Sequence, residues 1–327
     1  MSSDIVTAIL QRIGIPELSE ILTERLSASE LNSLLLEVFH RKAEKILPAE
    51  LLQAYQYNRF VAPVNFAWLP FLQQEIINLQ FAQNQGYEPI ELSPVSPLGT
   101  CSAVGTVHQH KVLTALRGTE MVADATNVLA LESAVRRQQL LQQDKKSLDR
   151  VRLCTTHRHV RTATIKIKGF TPHFKIFCLT TAGRDEGNFQ FEITNIIEHL
   201  QFHLLLLTEQ YHIPLSQISF LFKNLHTDNK NRVFTAIHDI ITKKFPEIHQ
   251  EVQEIPQANA NYYKHFQFKI FLHLNGNAFD IGDGGLVDWT QQLLGNRKER
   301  LVISGIGTEF LHRLLHDNAI KSRNQSA

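Results

Sequence analysis

The stretch YYKHFQFKIFLHLNGNAFDI, residues 262–281, decides how this chain is to be read. Phe266, Phe268, Ile270, Leu272 and Leu274 alternate with Gln267, Lys269 and His273, so one side is apolar and the other polar. A period of two is the mark of a strand buried on one face. Asn275-Gly276 follows, two residue types that tolerate positive φ, and predicts a tight turn into a returning antiparallel strand over 278–281. Helical segments lie on either side of this hairpin. That mixture argues for an α+β fold, an antiparallel sheet flanked by helices, and against a doubly wound parallel sheet.

Working outward, strands are expected near 87–95, 111–116, 151–160 and 173–181. Helices are expected over 68–83, from Asn127 to Arg137, around 191–210 and over 234–245. Pro70 suits a first helical turn, Thr126 is a good cap for the second of these helices, and the Gln/Asp/Lys-rich 138–148 reads as a polar continuation or linker. Residues 1–60 form a helical segment of their own. Ile5, Ile9 and Ile13 recur every fourth position, Ser27-x-x-Glu30 has the form of a capping box, and Pro48 suits the first turn of another helix. Two units are therefore expected, an N-terminal helical segment over 1–60 and a core over 61–327. The first holds no catalytic constellation and reads as a cap or a surface for a protein partner.

Composition narrows the classes. Among 327 residues, 43% are hydrophobic, enough for a large core, and 33 basic against 32 acidic side chains leave a formal charge of +1. That balance excludes a basic nucleic-acid coat or an acidic tail as the organising theme. Cys101, Cys154 and Cys178 are far apart and form no CxxC, so neither a disulfide framework nor a cysteine zinc site is expected. The start MSSDIVTAILQ lacks the pattern of a signal peptide, and the apolar run at 202–207 is too short to span a bilayer. A cytoplasmic location with no membrane partner is the expectation.

The order of the elements, with the short motifs inside them, resembles the core of class II aminoacyl-tRNA synthetases over about residues 61–315. The likeness is nearest to histidyl-tRNA synthetase and its non-ligating paralogue, the ATP phosphoribosyltransferase regulatory subunit. The helix at 68–83 and Gly86-Tyr87-Glu88-Pro89-Ile90-Glu91-Leu92-Ser93-Pro94 resemble motif 1, which builds the family's dimer interface. A homodimer is thereby implied. Asp124-Ala125-Thr126 resembles the Asp-x-Thr segment lining the amino-acid pocket, although both residues are also ordinary helix caps.

His157-Arg158 and His173-x-x-x-Phe177 resemble motif 2, in which an arginine meets the α-phosphate of ATP and an aromatic on the next strand stacks on adenine. A planar guanidinium that stays charged suits phosphate oxygens. Either Arg158 or Arg161 can fill that role; the acid expected two positions later is Val160, and Thr181 stands where the motif ends in an acid. Asn261-Tyr262-Tyr263 resembles the histidyl branch's Gly-Leu-Asp-Tyr-Tyr, with Ala258 in place of its arginine and Asn261 in place of its Asp. Loss of that charge argues against histidine activation. Asp283-Gly284-Gly285 and Gly305-Ile306-Gly307-Thr308-Glu309 follow the order of the glycine-rich strand and motif 3, but Phe310 replaces the arginine used for ATP's distal phosphates.

The resemblance thus implies a nucleotide subsite of Arg158, Arg161, His173, Phe177, Gly305, Gly307 and Glu309, taking ATP with Mg2+ if a cofactor is used. Asp124, Thr126, Tyr263, Gly284 and Gly285 would hold the small-molecule ligand. No room for an anticodon-binding domain follows motif 3 in these residues, so tRNA is not expected as a partner. The altered motifs favour a metabolite-binding or regulatory subunit; the alternative is an ATP-dependent enzyme that activates an amino acid or related carboxylate through an adenylate. Other chemistry has weaker support. His108/His110 and His157/His159 offer paired imidazoles to a metal without a completing carboxylate or cysteine, the 296–300 charge cluster reads as a solvated turn, and Ser102 near His108 lacks a nucleophile elbow.

Overall fold

The hairpin forms the middle of a large sheet. A computed structural model describes residues 2–162, 171–225, 232–255 and 262–325. Its helices are α1 (Ser2–Ile13), α2 (Leu18–Glu20), α3 (Ala28–Ala43), α4 (Pro48–Tyr57), α5 (Trp68–Asn84), α6 (Thr100–Ala103), α7 (Ala125–Gln143), α8 (Gln190–Leu205), α9 (Arg232–Lys244), α10 (Trp289–Leu294) and α11 (Thr308–Gln325). Its first strands are β1 (Glu88–Pro89), β2 (Val95–Pro97), β3 (Thr114–Ala115), β4 (Thr119–Met121), β5 (Val151–Val160) and β6 (His173–Arg184). The remaining ones are β7 (Ile218–Asn224), β8 (His249–Glu254), β9 (Lys264–Leu274), β10 (Asn277–Val287) and β11 (Glu299–Ile306).

Eight strands run in the order β1-β5-β6-β11-β10-β9-β7-β8, and β2-β4-β3 make a separate small sheet. From β5 through β7 every pairing is antiparallel. Only the edge pairs β1/β5 and β7/β8 are parallel, so the sheet is mixed at its rims. The architecture is α+β as expected. No helix among the described residues is long and apolar enough to cross a membrane.

Strand alternation sends each core side chain to one of two faces. Phe266, Phe268, Ile270 and Leu272 of β9 pack with Phe220, Phe222, Val302 and Ile306 beneath α8 and α9. Phe177 and Leu179 of β6 join Phe81 of α5 and Phe202 of α8, the rings of Phe177 and Phe202 stacking 5.8 Å apart. Leu153, Cys178, Leu301 and Ile303 face the other way, toward α7. Phe177 and the apolar side chains Phe266, Phe268, Ile270 and Leu272 therefore do not line a cleft. Those side chains are wholly buried in helix-covered core, and the open space lies on the opposite face.

Other differences have local causes. The strand expected at 87–95 shrinks to two residues, because Pro89 and Pro94 offer no N–H to a ladder. The expected strand at 111–116 begins as a tight turn over Gln109–Lys111 and pairs only at Thr114–Ala115. Of the two readings of 138–148, continuation holds as far as Gln143, where α7 ends, with Leu140 packed against the core. β7 and β8 are additional strands. The Phe-Leu-Phe run of β7 is as apolar as a buried helix, and β8 is a mostly exposed edge with no apolar face to read.

Polar clusters also lie inside, two of which tie helices to strands. Arg137 and Glu299, both fully buried, bond Nε to Oε2 at 2.7 Å, and Arg137 also donates to the carbonyls of Ser147 and Asp149, so α7 is tied to β11. Ser304 Oγ contacts His199 Nδ1 at 2.8 Å and His203 Nε2 at 2.7 Å, with Thr181 Oγ1 2.9 Å from His199 Nε2. Gly284 stands opposite; a Cβ there would lie 2.5 Å from both the Phe268 ring and Ser304 Cβ. The N-terminal helices contrast with this core. Ser27 and Glu30 form the expected capping box, yet no residue of α3 or α4 is buried and Ile5 is 63% exposed.

Removing the arginine of the buried pair strands an ion. Arg137→Ala is expected to lower stability by about 3–5 kcal/mol, and Arg137→Met with Glu299→Leu to restore most of it, in denaturant titrations. The interior histidines set an acid limit. Burial pushes His203 and His159 down to about 3 and His199 well below its ordinary value. The unfolded chain takes up these protons below about pH 6.5 and the folded chain does not, so stability is lost as pH is lowered, by about 1.4 kcal/mol per unit for each ring. Glu75, raised by burial to about 7, and Asp283, raised to about 6, act oppositely down to about pH 4.5. Net loss on acidification, steepening below pH 4.5 and reduced in His203→Gln, is the expected outcome of unfolding titrations from pH 7.5 to 4.

Candidate functional site

On the α7 side of the sheet a cleft of ≈ 810 Å³ is left between the first turn of α7 and the middle strands. Asp124 occupies its most polar corner and caps α7. Its Oδ1 accepts from Thr126 N at 3.0 Å and from Thr126 Oγ1 at 2.8 Å, while its Oδ2 accepts from the Tyr262 hydroxyl at 3.1 Å. Burial opposes ionisation of Asp124, but Arg161 (Nη2 at 3.8 Å), His159 and Thr126 together hold it below the usual carboxylate range. Asp283, on the facing strand, is raised to about 6 by burial and then by the charge of Asp124. One cleft thus holds an acid that stays ionised and one that titrates close to neutrality.

The basic groups are fewer. Arg161 donates Nε–H to the Ala123 carbonyl at 2.8 Å and lies over the Phe174 ring at 5.3 Å. Lys223 enters from β7, its proton affinity lowered by burial and then by Lys269. His159 sits beneath: its Nε2 accepts from Ala125 N–H at 3.0 Å, so Nδ1 carries the ring proton, and Nδ1 has no partner among the described residues. Since burial keeps this ring neutral, it is a fixed donor at working pH.

Of the residues expected to bind ligand, the structure brings Asp124, Thr126, Arg161, Tyr263, Gly305 and Gly307 to this cleft. It places Arg158, His173, Phe177 and Glu309 elsewhere, on the helix-covered face. Arg158 donates to Glu309 Oε2 at 3.0 Å and to His173 Nδ1 at 3.1 Å, and His173 donates Nε2–H to the Ala62 carbonyl at 2.7 Å. Glu309, nearly inaccessible, also receives Arg313 at 3.1 Å. Gly284 faces the Phe268 core; Gly285 lies behind Tyr263, where a Cβ would come within 2.7 Å of that ring. Arg158 and Arg161 are separated by an odd number of positions, so on one extended segment only one of them can face the cleft. That parity was available in the sequence.

Phe174, Lys223 and Asp280, which the motifs do not single out, also line the cleft, as does His159, which the sequence offered only as half of a histidine pair for a metal. Ala258 and Asn261 lie outside the described residues. His108 Nδ1 accepts from the His110 backbone inside a tight turn, and no cluster of three or more His, Cys, Asp or Glu suited to a metal occurs among the described residues. The Cys101 and Cys154 thiols are pushed up by burial to about 12, which leaves them inert.

No family model matches this chain, and no curated protein matches it in sequence. Solved structures do. A threonyl-tRNA synthetase-type structure from Aeropyrum pernix superposes with a TM-score of 0.58 at 11% identity, over 76% of this chain and 60% of that one. The apo histidyl-tRNA synthetase of S. aureus gives 0.54 at 10%, over 76% and 70%. A structure described as an ATP phosphoribosyltransferase regulatory subunit/histidyl-tRNA synthetase from Bacillus halodurans gives 0.53 at 11%, over 76% and 80%. The fold is class II aminoacyl-tRNA synthetase-like.

Within this synthetase-like fold the chain spans 60% of the length of the first of those structures. The strands resembling motif 2, β5 and β6, pair with each other, and β6 in turn pairs with β11, which leads into the motif 3-like helix α11. Phe310 stands at the cleft wall in that helix, its ring 6.1 Å from Phe279. The two arginines are expected to separate by experiment. Arg158→Ala leaves Glu309 partly unmatched and should cost about 1–2 kcal/mol, discounted from a fully buried pair because Arg158 is 28% exposed and Arg313 remains. Arg161, at 41% exposure, should cost under about 0.5 kcal/mol on replacement by Ala. Chemical denaturation of both variants checks this.

Proposed function

We propose that this protein is a non-ligating relative of the class II synthetases, a metabolite-binding or regulatory subunit whose cleft takes a small amine-bearing ligand. The observation that carries this reading is Phe310. It stands where the resemblance calls for an arginine against ATP's distal phosphates, so that end of the cleft is apolar. Arg158, the other candidate phosphate ligand, is turned away and matched by Glu309. Among the described residues, the cleft is lined by three carboxylates, Asp124, Asp280 and Asp283, against Arg161 and Lys223. A polyphosphate is badly matched to that set. An ammonium group suits Asp124 and Asp283, and a carboxylate suits Arg161, which together describe an amino-acid-like zwitterion.

ATP-dependent activation of an amino acid has less support, for the same reason; ATP with Mg2+ would have Gly305 and Gly307 for close approach but few cations among the described residues. Pairing of two chains is supported by Leu69, Leu72 and Ile76 of α5, exposed at helical spacing in the segment that resembles motif 1. The exposed apolar residues of α1 and α4 support a protein partner for the N-terminal helices.

The experiment is pyrophosphate exchange beside calorimetric titration with amino acids. No ATP-dependent exchange is expected, whereas ATP-dependent exchange with any amino acid would overturn the non-ligating reading. Arg161→Ala and Asp124→Asn should each weaken ligand binding at least tenfold, about 1.4 kcal/mol. Affinity should also rise between pH 5 and 7 as Asp283 ionises through about 6. Equal affinity in both variants would remove the cleft as the site.

A further inference from the structure

A second cavity, ≈ 500 Å³, lies at the end of the sheet where β9 and β11 begin, between the first turn of α8 and helix α10. It neighbours the cleft and shares Tyr263 and Leu225 with it. Glu192 is its most buried charged group, 5% exposed. Its Oε1 accepts from Arg300 Nε at 2.6 Å, but its Oε2 is buried and has no partner among the described residues. Such an orphan is rare in a native interior and calls for a donor.

The cations already in the wall are engaged. Arg300 directs Nη1 to the carbonyls of Arg297 and Glu299, at 2.7 and 2.9 Å, and Nη2 to Asp185 at 3.3 Å. Lys264 faces Asp288 at 3.6 Å. An incoming anion would meet both Glu192 and Asp288. A hard divalent ion would want more oxygen ligands than these two carboxylates.

A second observation concerns the backbone. Phe189 and His265 both line this cavity with left-handed φ angles of 58° and 61°, and their rings meet edge to face 5.8 Å apart. Bulky side chains adopt that conformation rarely, and the surrounding structure must hold them there. The result is an aromatic wall of Phe189, His265 and Tyr263 beside a carboxylate that lacks a donor. Aromatic faces with a carboxylate are the chemistry that recognises an organic cation.

We propose that this cavity binds a small organic cation, an ammonium or guanidinium group that donates to Glu192 Oε2 and lies against Phe189, His265 and Tyr263. The site is separate from the cleft and does not depend on the function proposed for it. The probe is agmatine, which carries both cationic groups and no carboxylate, titrated calorimetrically into the full chain. One saturable site is expected. Glu192→Gln keeps an acceptor for Arg300 but removes the charge, and should weaken agmatine binding at least tenfold. Phe189→Gly removes the ring and relieves the left-handed backbone, so it should weaken binding several-fold while leaving the thermal midpoint equal or higher. That variant carries the test if Glu192→Gln fails to fold. Asp124→Asn, in the cleft, should leave agmatine affinity unchanged. No saturable binding at millimolar agmatine, or equal affinity in Phe189→Gly and any folded Glu192→Gln, would overturn the proposal. So would agmatine binding abolished by Asp124→Asn alone, which would put the cation in the cleft.

Discussion

Each side chain on the central sheet has only two directions available, toward α8 and α9 or toward α7, and that choice governs what can meet a ligand. The antiparallel run from β5 through β7 holds the register across six strands, so a residue's face follows from its position along a strand. Slipping any strand by one residue would exchange its core for its cleft. The large apolar side chains of β9 and the Phe177–Phe202 stack hold the register by filling the helix-covered side. Once they are in place, Arg161 and Asp283 are left facing open space, with His159 buried beneath them.

Much of this fold could be read from residues alone. The alternation in 262–274 and the Asn-Gly turn gave the central hairpin, and the bounds of β5 agree with the strand expected at 151–160. Edge elements were harder. β8 has a partner on only one side and no apolar face, so its pattern carries no period. The small sheet has strands of two or three residues, too short for any alternation to show.

The candidate site was legible where a residue's type implied its place and obscure where its environment decided. Asp124 and Thr126 are helix caps, and a cap at a sheet edge is placed by its helix. Arg158 and Phe177 were assigned by motif likeness, and strand parity then carried them to the other side. The upward push on Asp283 and the neutrality of His159 come from burial beneath distant segments, which no local pattern encodes. The same separation bears on position: Arg158 and Glu309 are matched to each other on the helix-covered face, while Phe310 stands at the cleft wall. At 10–11% identity, the solved structures share the architecture, and each cleft must be read from its own side chains.

The buried trio around Ser304 has a direction. A hydroxyl has one proton, so Ser304 can donate to only one of its two histidines and must accept from the other. If it donated to His203 Nε2, the proton of that ring would sit on Nδ1, where it would find no acceptor among the described residues. An unmet N–H inside a core is harder to sustain than an unmet ring nitrogen. The favoured arrangement therefore runs one way, His203 Nε2–H to Ser304, Ser304 to His199 Nδ1, and His199 Nε2–H to Thr181. Two strands and a helix are joined by a one-way file of protons, in which no ring can change tautomer unless its neighbours change with it.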